Sequence, residues 1–140
     1  MRSISSIPDT PSIVLLADRG LNFLDAVRDL LSAEFDAILM VGDGHSLCAG
    51  AARLQPSMII VDLSLGEGDG LRIIERLRSE SPASLVVALT VHSESAVVNA
   101  AITAGAHGVV LKRAVVPDLV ECIDCVRAAG TFVSPALTCD

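Results

Sequence analysis

The chain has 140 residues, 51% hydrophobic but only 2% aromatic, with a formal charge of −7, enough for one domain around an aliphatic core. That acidic balance argues against direct nucleic-acid contact, which depends on Lys and Arg neutralising phosphates, and no apolar run approaches the roughly 18 residues of a membrane span. Residues 1–11 lack the apolar block of a signal peptide and are expected to form a disordered tail on a cytoplasmic protein.

In chain order, the apolar run at 12–17 predicts a first strand ending at Asp18, and Leu24, Val27, Leu30 and Leu31 follow at helical spacing. Ala37–Val41 predicts a second strand. Gly42-Asp43-Gly44 then turns the chain into a helix with Leu47, Ala51 and Leu54 on one face. A third strand runs from Ser57 to Asp62, and after a loop from Leu63 to Gly68 the positions Leu71, Ile74 and Leu77 mark a third helix, closed before Pro82. Leu85–Leu89 reads as the fourth strand. Ser93 is expected to cap the next helix and Gly105 to end it in a left-handed conformation. Gly108–Leu111 predicts the fifth strand, Pro117 suits the first turn of the final helix, and Gly130 is expected at its end.

Five β-α units with short connections require a parallel sheet covered by helices on both faces, and strands apolar without alternation are what such burial demands. The expected architecture is a doubly wound α/β fold, (βα)5, with a five-stranded parallel sheet in the order 2-1-3-4-5. That order brings the ends of strands one and three together, so Asp18, Asp62, Thr90 and Lys112 converge on the carboxyl edge, where open α/β sheets bind ligands. Two carboxylates, a hydroxyl and an ammonium outline a phosphoryl or divalent-cation site. Singly, each residue has a plainer explanation: Asp62 as a turn former, Thr90 as a strand residue, Lys112 as a solvated charge. A chance turn at one strand end does not demand the other three.

Other motifs carry less. Cys122 and Cys125 form a CxxC inside a helical pattern rather than at a helix start, and Cys48 and Cys139 give no second pair, so ordinary reduced cysteines are expected. His45 follows Asp43-Gly44 as in a cobalamin-binding DxHxxG, but Cys48 stands where the glycine is required. His92 and His107 read as surface or interface residues.

Asp18, Val61-Asp62-Leu63-Ser64-Leu65 with Gly68-Asp69-Gly70-Leu71, Leu89-Thr90-Val91-His92, and Ala104-Gly105-Ala106-His107-Gly108-Val109-Val110-Leu111-Lys112 together resemble a response-regulator receiver domain of two-component signalling, a flavodoxin-like fold. The resemblance covers about residues 12–130 and is nearest to receivers that precede a LuxR/NarL-type helix-turn-helix domain. It implies a phosphorylated switch rather than an enzyme. Asp62 matches the acceptor that attacks the phosphohistidine of a histidine kinase or phosphotransfer protein. Asp18, Asp62 and the main-chain carbonyl of Ser64 match the Mg²⁺ ligands, while Lys112 and Thr90 match the residues that engage the phosphoryl oxygens. Residues 131–140 match a C-terminal tail or the start of a linker to an output domain absent from this chain, through which DNA would be reached. Homodimers through helices and strands four and five, or one and five, are also implied.

The sequence departs from the family pattern at Arg19, where a second acidic residue normally follows Asp18. Three carboxylates and one lysine sum to about −2, whereas two carboxylates with Arg19 and Lys112 sum to about 0 if the arginine points inward, which would weaken Mg²⁺ binding. One reading is therefore a phosphate-independent interaction module on the same fold, with Arg19 holding Asp18 and Asp62 ionised without metal. The other has Arg19 in solvent and phosphorylation intact. Val109, Val110 and Leu111 offer no ring for aromatic-coupled switching, and Leu65-Gly66-Glu67-Gly68 replaces the usual Met-Pro, leaving Glu67 as a candidate for the missing carboxylate. A haloacid-dehalogenase-type phosphatase would need an acid where Ser64 stands. A flavodoxin-type cofactor site would need a phosphate loop where Arg19-Gly20-Leu21-Asn22 stands.

Overall fold

The strands are apolar on both faces, so they must lie between two helical layers, and they do. The computed structural model describes residues 12–17, 21–65 and 70–138. Strands β1 (Ile13–Ala17), β2 (Ala37–Val41), β3 (Met58–Asp62), β4 (Leu85–Thr90), β5 (Gly108–Leu111) and β6 (Phe132–Val133) form one parallel sheet in the order β2-β1-β3-β4-β5-β6. Helices α1 (Leu21–Leu31), α2 (Gly44–Leu54), α3 (Gly70–Glu80), α4 (Ser95–Ala104), α5 (Val115–Arg127) and α6 (Pro135–Thr138) connect or follow them, with a 3₁₀ turn at Lys112–Ala114 before α5. The expected 2-1-3-4-5 order is present, extended by a sixth strand.

Alternation along each strand divides the core in two. Leu15, Ile59, Val61, Val86 and Val109 face α2, α3 and α4, meeting Leu47, Ala51, Ile74, Leu77 and Ala101. Val14, Leu16, Ile60, Val87 and Val110 face α1 and α5, meeting Val27, Leu31, Leu119, Ile123 and Val126. Both layers are almost wholly aliphatic. Cys122 and Cys48 are buried free thiols, and burial pushes Cys122 up to about 12, which suits a packing role rather than redox chemistry.

Helix ends agree with the sequence in part. The Asp43 side chain caps α2 by accepting from the Ser46 amide at 2.7 Å, and Gly105, at φ 123°, closes α4. Ser93 is not the cap of α4; Glu94 occupies that position without a side-chain bond to the helix. Nor is Gly130 the left-handed residue after α5. Ala129 takes that conformation at φ 69°, and Gly130 is small for another reason: a Cβ there would sit 2.9 Å from the Cys125 sulfur.

The segment 131–140, read as a tail or linker start, is packed into the domain as far as Leu137. Phe132 and Val133 pair with Gly108 and Val109, the buried Ser134 hydroxyl accepts from the Leu111 amide at 3.0 Å, and Leu137 is 2% exposed in the core beneath α4. Two residues are too few for strand alternation to be read.

Candidate functional site

The parallel register decides what meets at the carboxyl edge. Asp62 is level with Leu89, and Thr90 with Leu111, so β3, β4 and β5 end together and release Asp62, Thr90 and Lys112 onto one rim. After Asp62 the chain turns tightly: the Leu63 amide donates to the Leu89 carbonyl at 2.8 Å and the Leu65 amide to the Asp62 carbonyl at 3.0 Å. This turn folds the Ser64 amide back onto Asp62 Oδ1, 2.9 Å away.

The other carboxylate oxygen, Oδ2, accepts from Lys112 Nζ at 2.8 Å. Asp62 is 2% exposed. Burial acts to raise its pKa, but the Lys112 ammonium and the Ser64 amide outweigh that and hold the carboxyl below its ordinary value. The result is a buried, ionised carboxylate aimed at the strand edge with a cation beside it. Such a group is a nucleophile whose charge is kept available, next to a donor placed to receive anionic oxygens.

Thr90 lies at the expected strand end but its hydroxyl is turned into its own loop. Oγ1 accepts from the His92 amide at 2.9 Å and donates to the His92 carbonyl at 3.2 Å. Beside it a half-open cavity of about 560 Å³ is lined by Leu63, Ser64, Leu71, Thr90, Val97 and Ala100, among others. Val109 and Val110 are both fully buried, on opposite faces of the sheet, so no side chain at the end of β5 swings between exposed and buried positions.

Asp18, Arg19 and Glu67 lie outside the described residues. Among the described residues no cluster of three or more His, Cys, Asp or Glu is placed to hold a metal. Of the cation ligands that the resemblance implies, the described residues include Asp62, whose carboxylate is at the strand edge, and Ser64, whose carbonyl is the implied donor. That oxygen-only donor set suits a hard ion such as Mg²⁺, which retains several waters and takes only one or two carboxylates.

His92 is exposed, 3.7 Å from Glu94. His107 is half-buried. Its Nδ1 accepts from the Val86 amide at 3.0 Å and its own amide donates to the Val86 carbonyl at 2.7 Å, so the neutral ring completes the β4 ladder. Burial and the nearby Arg78 charge both hold its pKa below the usual histidine value. The only sequence signal for this role was its place immediately before β5.

The chain belongs to the response regulator receiver domain family, whose pattern matches residues 14–124. Among curated proteins it is similar to the transcriptional regulatory protein MctR of Rhizobium johnstonii, 28% identical over 124 residues covering 86% of this chain and 58% of that protein. It is also similar to the nitrate/nitrite response regulator protein NarL of Escherichia coli, 30% identical over 131 residues covering 91% and 60%. The chain thus spans less than two thirds of the length of these relatives. A solved two-component response regulator of the LuxR family from Aurantimonas shares the fold, with TM-score 0.81 at 22% identity over 91% of this chain and 93% of that one. Receiver domains are signalling modules of two-component systems; they work with histidine kinases or phosphotransfer proteins and generally use Mg²⁺ for phosphorylation.

Proposed function

We propose that Asp62 is the phosphoryl acceptor of this receiver, with Lys112 and Thr90 as the residues that hold the phosphoryl group. The observation that carries the reading is the buried Asp62 carboxylate bonded to Lys112 at 2.8 Å and to the Ser64 amide at 2.9 Å. An Asp62 oxygen attacks the phosphorus of a partner's phosphohistidine, the P–N bond breaks with its electron pair leaving on the imidazole, and an acyl phosphate forms on Asp62. The Lys112 ammonium, already at the carboxylate, then pairs with a phosphoryl oxygen. Asp62, the Ser64 carbonyl and Asp18 would hold Mg²⁺, which when bound offsets the charge of the phosphoryl oxygens.

The modification adds nearly two negative charges beside Thr90. Its hydroxyl exchanges the His92 carbonyl for a phosphoryl oxygen, and the loop from Val91 to Glu94 moves with it. Because that loop leads directly into α4, the signal is read as a change in the surface around α4 and β5. The switch works through this loop, since the end of β5 has no ring to rotate. The output we propose is transcription, through a LuxR/NarL-type DNA-binding domain following the receiver in a cytoplasmic regulator.

Incubation with acetyl phosphate and Mg²⁺ followed by intact mass measurement tests the acceptor. A phosphoryl-sized gain that disappears in Asp62→Asn is expected. No gain under conditions that modify a control receiver would overturn the assignment. The chain has no Trp or Tyr, so mass rather than intrinsic fluorescence is the appropriate readout.

A further inference from the structure

The sheet has one bare edge that is apolar on both faces. β2 pairs with β1 on one side only, and its sequence Ala37-Ile38-Leu39-Met40-Val41 contains no charge, no proline and no break in register. Edge strands ordinarily carry such features to block pairing with another chain. Leu39 and Met40, on opposite faces, are each 40% exposed. The helices leave this edge open, because α2 packs on β1 and against α3. Between α2 and β2 lies a half-open cleft of about 410 Å³ lined by Leu39, Val41, Ala49, Gly50, Arg53 and Leu54, among others, and Leu54 is itself 36% exposed.

The hydrogen-bonding phase of β2 follows from its first residue. The Ala37 amide donates to the Ser12 carbonyl at 3.1 Å, so the backbone groups of Ala37, Leu39 and Val41 face β1 and those of Ile38 and Met40 face outward. A second copy of the same strand laid antiparallel about Leu39 satisfies all of them. Ile38 of each copy lies opposite Met40 of the other and exchanges both bonds, while the two Leu39 side chains form the close, non-hydrogen-bonded pair at the centre. Asp36 then lies opposite Gly42, and Asp43 opposite Phe35, so no like charges are directly opposed.

The self-complementary register favours a copy of this chain as the occupant. The chain carries −7 overall, so self-association needs a neutral contact strand, and β2 supplies one. The same two-fold axis sets α2 antiparallel to its copy, bringing the Arg53 end of each helix towards the Asp43-capped end of the other. Leu39 and Leu54 of both copies fill the clefts that each leaves open alone. We propose that this protein self-associates through antiparallel β2–β2 pairing, forming a continuous sheet across two domains. The surface is distinct from the helix and strand faces expected for dimers of the family and does not depend on phosphorylation of Asp62.

Sedimentation of the purified, unphosphorylated protein across a concentration series, combined with residue-resolved amide exchange, tests this. A concentration-dependent dimer is expected, in which the Ile38 and Met40 amides gain protection as it forms while Leu39 and Val41 are protected throughout. Leu39→Lys removes a buried leucine from each copy and opposes two ammonium groups, so dimerisation should weaken by more than about tenfold. Met40→Pro deletes an outward amide that the monomer does not use and should act likewise with the circular dichroism spectrum retained. A parent protein that stays monomeric to near-millimolar concentration overturns the proposal. So does a dimer that leaves the Ile38 and Met40 amides unprotected, or one that forms equally well in whichever of the two variants remains folded.

Discussion

Asp62 and His107 are two residues whose protonation is tied to backbone geometry. Asp62 is held below its ordinary value, so its ionised form contributes stability that is present above about pH 4 and lost as pH falls through its folded-state pKa. His107 is also depressed, so the unfolded chain binds the proton more readily; stability is complete above about pH 6.5 and declines below it. Protonation at Nδ1 removes the acceptor of the Val86 amide, and an orphaned buried amide costs about 1–3 kcal/mol. Urea midpoints measured between pH 7.5 and 5.5 should therefore fall for the parent and stay flatter for His107→Gln. Equal slopes for the two proteins would remove His107 from the account. Neither role was readable in full from the sequence: Asp62 and Lys112 were legible because strand ends align in a parallel sheet, whereas the His107 bond and the Thr90 turn onto His92 depend on local backbone geometry that residue type does not encode.

At the scale of elements, the five long strands and the helices between them were legible because burial on both sheet faces excludes polar residues from the strand interiors. The ends were less so, and the close of α5 shows why. A left-handed residue is needed there, and Gly130 offers itself, but the chain spends that glycine on clearance from Cys125 and leaves Ala129 at φ 69°. A Cβ in that region carries a conformational penalty that glycine lacks. Ala129→Gly relieves it while loosening the unfolded chain, with a net gain of about 0.5–1 kcal/mol expected as a higher urea midpoint at unchanged denaturant dependence. Gly105→Ala should do the reverse, since it combines φ 123° with a Cβ only 2.5 Å from the Arg78 side chain. A loss of more than about 1 kcal/mol is expected, and a neutral result would mean that α4 can end in another conformation.

For the molecule as a whole, the acceptor role proposed for Asp62 requires the carboxyl edge of the sheet to hold a dianionic phosphoryl group on a chain that already carries −7. Lys112 supplies one positive charge to that edge, and in the usual receiver the remaining compensation comes from a cation held by three carboxylates. This chain has Arg19 in place of one of them, and we propose that an inward arginine makes the local formal charge without metal less negative and reduces the attraction for Mg²⁺. Arg19→Asp exchanges a repelling charge for an attracting one and is expected to raise Mg²⁺ affinity by at least about tenfold, read by calorimetric titration. Acetyl-phosphate labelling of Asp62 should reach half-completion at correspondingly lower Mg²⁺. If affinity is unchanged, Arg19 points into solvent, Asp18 and Asp62 already bind the cation unaided, and the departure at this position has no electrostatic consequence for the switch. If affinity rises but labelling does not, the arginine sets cation binding without limiting phosphoryl transfer.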